Sequence, residues 1–485
     1  MKLSSNLKEI IEKVKIDLER EKNISSSLVV SINSIFDETQ LLLNKLELNS
    51  KNSSKPPSLD PFRKKKTKKG KAKKPQGGQT GHKGTTLTID KNETPNKIEE
   101  IELDLKKLPR EGSYSFSRWE TRRVIDIKIT RHITEYRVEV FVDENGNEFK
   151  ADFPKDVKSH VQYGSSVKSN AVYMSMFQLL PYERLKELFT EQFNIPLSTG
   201  SLFSFNKEAL EKLSSFEQIV KRKLAISPLI HVDETGINIG SKGNWLHSAS
   251  NENWIWIFPH EKRGKEAMDE IGILPNFRGV MVHDHWKPYF NYKDCTHSLC
   301  NAHLLRELAR SFEQDDMKWA NKMISFLENL NKEVNNNDGV LPKNISKEKL
   351  KEYKKILSDG NLECPPPKKD EGQKKKRGKV ARSKSRNLLE RFLDFKEDIL
   401  RFMRDKKVPF TNNMAERDIR MTKVHQKISG CFRSKEGANI FCGIRSYIST
   451  CKKNNYCVKT ALLELVEGKL PQFIQDEINL FKSGG

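Results

Sequence analysis

The chain has 485 residues and a formal net charge of +22, because 87 Lys and Arg residues outnumber 65 Asp and Glu residues. An excess of this size indicates a polyanionic partner, either nucleic acid or an acidic membrane surface. No stretch approaches the roughly 18 consecutive apolar residues of a membrane-spanning helix, and the charged N-terminus lacks the apolar core of a signal peptide. The seven cysteines form no C-x-x-C pair, which is typical of reduced thiols. We therefore expect a cytoplasmic protein that does not use a membrane.

Residues 1–50 are predicted to form a helical or coiled-coil region, because apolar residues from Leu7 to Leu18 recur at spacings of three and four. Residues 51–90 are rich in Ser, Pro, Gly and Lys, which predicts a disordered basic linker. A run of like charge is often only solvated. In a chain of this net charge we favour an arm that binds phosphates, formed by Arg63, Lys64, Lys65, Lys66, Lys68 and Lys69.

Residues 91–160 are predicted to form a small β-rich module. The stretch "VIDIKITRHITEYRVEVFVDENGNEF" alternates apolar and polar residues, and its Asn-Gly pair is typical of a hairpin turn. Residues 161–222 are predicted to be helical, in three segments, with Ser198 or Thr199 capping the third. Three short helices are compatible with a helix-turn-helix DNA reader and equally with an ordinary helical bundle.

Two apolar runs in the α/β region that follows end in an acid. "LIHVDETG" (residues 229–236) predicts a buried strand that ends near Asp233, and "RGVMVHDHW" predicts a second strand that ends near Asp284. Side chains alternate along a strand, so Glu234 is expected on the face opposite Asp233. If the strands are neighbours, the two carboxylates repel each other unless a divalent cation such as Mg²⁺ or Mn²⁺ lies between them.

A third acid, Glu416, lies in "TNNMAERDIRM", on a predicted helix. Taken singly, a strand-end Asp often caps a turn, and a helical Glu four residues before Arg420 often forms a surface ion pair. Taken together, the acids have the order strand, strand, helix of the ribonuclease-H-like fold, in which two metal ions serve an in-line displacement at phosphorus.

The chain resembles transposases of the bacterial insertion sequence 66 family, which belong to the class with two Asp and one Glu (DDE). The likeness covers nearly the whole length, and its most specific blocks are "GGQTGHKGTTL", "HVDETG", "HEKRGKEAMDEIGILPNFRGVMVHDHW", "HSLCNAHLLREL" and "TNNMAERDIRMTKVHQKISGCFRSKEGANIFCGIRSYISTCKKN". The resemblance implies that Asp233, Asp284 and Glu416 are both catalytic residues and metal ligands. It implies Mg²⁺ or Mn²⁺ as cofactor and metal-dependent DNA cleavage and strand transfer as activity.

The resemblance also implies an organisation. Residues 223–455 are expected to form a ribonuclease-H-like catalytic domain with a helical insertion at about residues 310–405, and residues 456–485 a C-terminal helical tail. The expected partners are the terminal inverted repeats and target DNA, a second copy of the chain on that DNA, and small companion proteins, in a bacterial, nucleoid-associated setting. Basic residues after Glu416 are expected to grip the DNA backbone, namely Arg417, Arg420, Lys423, Lys427, Arg433 and Arg445.

Two other functional classes remain open from the sequence. One is a catalytically decayed relative that binds DNA only, and the other is a nuclease of the same fold that does not join strands. The complete trio of acids argues against the first. The long basic segments and the helical N-terminus favour assembly on two DNA ends over simple cleavage.

One departure from the family concerns zinc. Family members commonly carry a cysteine-rich zinc module at the position of residues 91–160, but here this stretch has no cysteine, and a structural zinc ion needs roughly four Cys or His ligands. A second group has suitable spacing, Cys295, His297, Cys300 and His303. Its leucine neighbours favour packing, or a place near the active site, over zinc.

We therefore predict that the purified protein folds without zinc and contains no stoichiometric zinc. Elemental analysis of protein purified without chelator, before and after dialysis, measures this directly. One tightly held zinc ion per chain would contradict the prediction and would point to the group from Cys295 to His303 as its ligands.

Overall fold

The computed structural model describes residues 92–108, 112–367 and 382–483, parts of residues 10–53, and the isolated residues 87 and 90. The chain divides into two compact units, one formed by Lys64–Ile129 and the other by Met1–Arg63 with Thr130–Gly485. In the smaller unit, the one regular element among the described residues is a 3-10 turn, Leu105–Lys107. Among the described residues, no helix is long and apolar enough to cross a membrane.

The predicted β-rich module is a short hairpin in the part of it that the structure describes. Strand β1 (Val140–Val142) pairs with β2 (Glu148–Lys150) in antiparallel register, with Phe141 opposite Phe149. The Asn-Gly turn prediction is confirmed, since Gly146 has a φ of 83° and lies between the two strands. The alternating residues from Val124 to Glu139 are not in strands, and Val124, Ile127 and Ile133 are exposed, so alternation alone was not enough to form a sheet there.

Helices precede the main sheet. Helix α1 is Ser26–Leu46, and four shorter helices follow, α2 (Ser165–Val172, continued by a π-helical turn at Tyr173–Phe177), α3 (Tyr182–Phe193), α4 (Thr199–Glu211) and α5 (Ser214–Ala225). Three helical segments were predicted where the structure has four. The predicted cap is confirmed, because the Ser198 hydroxyl accepts a hydrogen bond of 2.9 Å from the Ser201 backbone N–H. The apolar faces of α2 to α5 join the core beneath the sheet.

The central sheet has five strands in the order β5-β4-β3-β6-β7. These strands are β3 (Leu229–Ile239), β4 (Lys242–Ser250), β5 (Ile255–His260), β6 (Val280–His283) and β7 (Thr296–Leu299), with helix α6 (Lys265–Ile271) between β5 and β6. Strands β3, β4 and β5 pair antiparallel, whereas β6 pairs parallel with β3 and with β7. The region is therefore mixed α/β with a mixed sheet.

A group of helices follows β7 and has its own apolar core. Its members are α7 (Asn301–Asp315), α8 (Lys318–Asn336), α9 (Lys343–Glu363), α10 (Lys384–Asp394) and α11 (Lys396–Leu400). Trp319, Tyr353 and Phe392 are fully buried there. A Cβ at Gly360 would lie 3.0 Å from the Trp319 ring, so the absence of a side chain lets helices α8 and α9 pack closely.

The chain returns to the sheet through α12 (Asn413–Ser429) and α13 (Lys435–Lys453), and ends with α14 (Val458–Val466) and α15 (Gln472–Ser483). Helix α13 covers the edge strand β5. The hydroxyls of Ser446 and Thr450 accept hydrogen bonds from the backbone N–H groups of Ile257 and Ile255, at 2.9 and 3.3 Å. These bonds satisfy donors that an open sheet edge would leave unpaired.

Candidate active site

Sheet register brings Asp233 and Asp284 together. His231 of β3 lies opposite Val282 of β6 in the parallel pair, and continuing that register by two residues on each strand places Asp233 opposite Asp284. Residues two apart share a face, and neighbouring strands are about 4.8 Å apart. The two carboxylates therefore lie on the same face of the sheet. Asp284 follows the end of β6 as predicted, but the prediction that β3 ends near Asp233 was wrong, because β3 continues to Ile239 through its antiparallel pairing with β4.

Helix α12 is bonded to β3 at its start and carries Glu416 in its first turn. The buried residue Asn412 directs the helix there, because its side chain bonds to β3 beside Asp233. Its Nδ2 donates to the Val232 carbonyl oxygen and its Oδ1 pairs with His231 Nδ1, both at 2.8 Å. The Asn412 backbone N–H donates to Cys300 Sγ at 3.1 Å. Sequence reasoning missed Asn412, although an Asn directly before a helix is a recognisable signal.

The three acids are coupled electrostatically. The pKa of Asp233 is raised to about 8. Burial is the largest cause, and the charges of Glu234, Asp284 and Glu416 contribute to the same rise. Burial also raises the pKa of Asp284, against the lowering effects of the Trp286 backbone N–H, which donates to Asp284 Oδ1 at 2.9 Å, and of Arg263. Two buried carboxylates at this separation oppose each other's ionisation, and a bound cation would relieve that repulsion.

Glu234 lies on the opposite face of β3, and its carboxylate is fully engaged there. Its side chain is only 2% exposed and pairs with Arg263, whose Nη2 and Nε donate to Oε1 at 2.6 and 3.1 Å. The Tyr289 hydroxyl donates to Oε2 at 2.5 Å. A carboxylate whose two oxygens accept these bonds is not free to hold a metal ion. Arg263 and Tyr289 were not identified from the sequence.

A second group of donors surrounds Glu416. Cys300, His303 and Glu416 each offer a ligand atom, and these atoms lie within 4.8 Å of one another. Glu416 Oε1 is 3.8 Å from His303 Nδ1 and 4.0 Å from Arg306 Nη2, and neither Oε1 nor Nδ1 makes a hydrogen bond to a described residue. Burial lowers the pKa of His303 to about 4, so its ring is neutral at physiological pH.

The other two members of the group with zinc-like spacing are engaged elsewhere. Cys295 Sγ donates to the Tyr292 carbonyl oxygen at 3.2 Å. His297 Nε2 pairs with the same oxygen at 3.0 Å, and its Nδ1 pairs with His283 Nε2 at 3.0 Å. The four candidate ligands are close in the sequence, but the fold separates them into two pairs. Cys300 and His303 form the pair that lies near Glu416.

Comparison with known families gives two matches. Residues 160–440 match the model of the Transposase IS66 family, a span that covers more than half of the chain and includes all three acids. The chain belongs to the Transposase IS66 family. Residues 5–88 match a family of unknown function (DUF6444), and a search of curated proteins finds no match. Membership confirms the resemblance seen in the sequence, and a transposase family implies a DNA partner.

The basic residues that follow Glu416 differ in their exposure. Arg417, Arg420, Lys427 and Arg433 are exposed, and within the described residues none of them makes an ion pair. Lys423 is partly buried, and its Nζ donates to the Gly236 carbonyl oxygen. The arm from Arg63 to Lys69, with Lys64, Lys65, Lys66 and Lys68, lies outside the described residues.

Arg445 does not belong to this surface, contrary to the sequence-based prediction. It is 6% exposed, and its guanidinium turns into the core, where Nη1 donates to the Met176 carbonyl oxygen at 3.2 Å. Burial lowers the pKa of Arg445 to about 10. Arg445 is therefore part of the packed core beside α13 and not of the exposed basic surface.

We predict that Asp233→Asn stabilises the protein in metal-free buffer. The folded-state pKa of Asp233, about 8, lies above its ordinary value of 3.8, so ionising this carboxyl costs stability, and the loss grows as pH rises from about 4 to about 8. In EDTA the variant should melt a few degrees above the wild type at pH 8, with a smaller gap at pH 5. Magnesium should narrow the gap at pH 8 by stabilising the wild type.

Asp294→Asn is the matched control, since Asp294 is 72% exposed and pairs loosely with Arg278 at 3.4 Å. Its melting temperature should follow that of the wild type at both pH values. If the melting temperature of the wild type at pH 8 in EDTA equals or exceeds that of Asp233→Asn, the charge of Asp233 does not destabilise the fold.

Proposed function

We propose that this chain is a DDE transposase in which Asp233, Asp284 and Glu416 hold two divalent metal ions for DNA cleavage and strand transfer. The observation that supports it most is the parallel register of β3 and β6, which sets the partly buried carboxylates of Asp233 and Asp284 side by side, with Glu416 on the helix, α12, whose start is bonded to β3. The donor set suits such ions, because carboxylate oxygens are the ligands that Mg²⁺ and Mn²⁺ prefer.

The topology supports a ribonuclease-H-like core. Three antiparallel strands, β3 to β5, continue into two parallel strands, β6 and β7, and the next helix to cross the sheet, α12, carries the third acid. On this proposal, helices α7 to α11 are a helical insertion between β7 and α12, with their own apolar core. The predicted boundaries of about 310–405 would then begin inside α7, which starts at Asn301.

Each residue of the site has a distinct task in this mechanism. When bound, the metal ions would activate the attacking oxygen and stabilise the leaving oxygen. Asp284 is held in orientation by the Trp286 N–H, and Asn412 fixes the start of α12 to β3 beside Asp233. Arg417, Arg420 and Lys427 lie beyond Glu416 on the same helix and would hold the DNA backbone against this face.

We predict that Asp233→Asn, Asp284→Asn and Glu416→Gln each keep the fold but lower DNA cleavage and strand joining by orders of magnitude. Each substitution removes a charge that the metal ions need and preserves the shape of the side chain. The measurement is cleavage and joining of a duplex that carries the inverted repeat flanking the gene, in Mg²⁺ and in Mn²⁺, alongside gel-shift binding of the same duplex. Binding should survive in all three variants.

Asp294→Asn again serves as the control for the loss of one carboxylate, whereas Glu234→Gln does not, because it breaks a buried ion pair. A turn-capping Asp or a surface Glu would cost only about 1 kcal/mol of stability and little activity. Full activity in any one of the three variants would remove that acid from the site. A wild type that binds the repeats but cleaves nothing would instead identify a catalytically decayed DNA-binding relative.

We also predict that the triple variant Arg417→Gln, Arg420→Gln, Lys427→Gln binds DNA with a weaker salt dependence. Each lost phosphate contact should flatten the plot of log binding constant against log salt by about 0.9. Gln substitutions at Lys293, Lys459 and Lys482, which are exposed and unpaired among the described residues, remove the same charge elsewhere and should change the slope far less. Equal slopes for the two triple variants would show that only net charge matters.

A further inference from the structure

Arg263 lies in the short connection between β5 and α6, and its guanidinium is held between two tryptophans. The guanidinium carbon is 4.5 Å from the centre of the Trp245 ring and 4.4 Å from that of Trp286. Trp245 comes from β4 and Trp286 follows Asp284, so three separate segments meet at one cation. A cation between two aromatic faces is attracted by both, and the stack fixes the plane of the guanidinium.

Glu234 fixes the guanidinium within that plane. Arg263 uses one edge, Nε and Nη2, to donate to Glu234 Oε1, and Tyr289 holds the other oxygen of the carboxylate. The second edge of the guanidinium consists of Nη1 and the other hydrogen of Nη2, and the described residues supply no hydrogen-bond acceptor for Nη1. The side chain is 39% exposed, so this second edge is open to a ligand from solvent.

Arg263 lies near Asp284, the acid that follows β6, although its partner Glu234 leaves β3 on the face opposite Asp233. Trp286, which stacks on Arg263, donates its backbone N–H to Asp284 Oδ1 at 2.9 Å. The charge of Arg263 acts on Asp284 directly, lowering the pKa of that carboxyl. An orienting carboxylate, two stacked rings and a free planar edge next to catalytic acids form a built anion site, and that edge matches two phosphate oxygens in geometry.

We propose that Arg263 binds a phosphodiester of the DNA strand at or beside the scissile bond, through the guanidinium edge that Glu234 leaves free. This inference rests on the proposed function of the neighbouring acids. Trp245, Trp286 and Glu234 are positioning residues, because they hold the guanidinium in place and need not touch DNA. Restricting the Arg side chain before DNA arrives lowers the entropy lost on binding.

The test pairs substitutions at Arg263 with neutralised phosphates in the substrate. The probes are duplexes of the flanking inverted repeat, each with one methylphosphonate in place of a phosphate near the cleavage position. For the wild type, one neutralised position should slow cleavage about 10- to 100-fold, the effect of a lost charge-assisted hydrogen bond. Arg263→Gln should slow cleavage of unmodified DNA by a similar factor, and the same methylphosphonate should then cause little further loss.

Arg263→Lys keeps the charge but lacks the planar edge, so it should cleave at an intermediate rate and remain sensitive at that position. This variant also carries the test if Arg263→Gln does not fold. Arg278→Gln is the matched control, since Arg278 is 60% exposed beside Asp294, and it should show the wild-type pattern at every position.

If each methylphosphonate slows cleavage by the Arg263 variants by the same factor as cleavage by the wild type, the inference is overturned. Arg263 would then have only a structural role, as the ion-pair partner of Glu234. That result would leave the proposed function intact, since the wild type would still cleave. A wild type that cleaves no unmodified duplex in Mg²⁺ or Mn²⁺ would overturn both proposals. The two failures are therefore distinguishable in one experiment.

Discussion

The constraint on which this structure depends is the burial of like charges side by side. Asp233 within β3 and Asp284 directly after β6 lie side by side in register, and burial together with neighbouring acids raises the pKa of Asp233 to about 8. Such an arrangement opposes folding, and it persists only because the surrounding structure determines it. Strand register is well suited to this task, because a slip of one residue by either strand would turn its Asp, together with its apolar residues, to the opposite face.

Helix α12 is held along β3 at both of its ends, which fixes the third acid. At its start, Asn412 bonds to Val232 and His231. Beyond its end, Phe432 exchanges backbone hydrogen bonds with the tip of β3, donating to the Asn238 carbonyl oxygen at 3.0 Å and accepting from the Gly240 N–H at 2.8 Å. Because α12 is bonded to β3 at its start and just beyond its end, it cannot easily shift or rotate. The position of Glu416 relative to β3 is therefore fixed.

The sequence predicted the parts of this site that depend on local pattern. An apolar run followed by Asp located both strands and the end of β6 but not the end of β3, the Asn-Gly pair located a hairpin, and Ser198 was expected to cap its helix. The resemblance supplied Glu416, which pattern alone would leave as a surface ion pair. Arg263, Asn412 and the burial of Arg445 could not be predicted in this way, because each depends on contacts with residues far away in the chain. Charge density suggested a DNA surface across α12 and α13, but only packing shows which cations face outward.

The helices between β7 and α12 have a part in the site as well as a core of their own. Helix α7 begins directly after β7, and its first turns carry His303 and Arg306 to within about 4 Å of Glu416. Glu416 is thus positioned from two directions, by α12 through the backbone and by α7 through side chains that approach its carboxylate without bonding to it. Glu416 Oε1 accordingly makes no hydrogen bond to a described residue. Helix α7 therefore contributes both to the apolar core of the helical group and to the surroundings of the third acid.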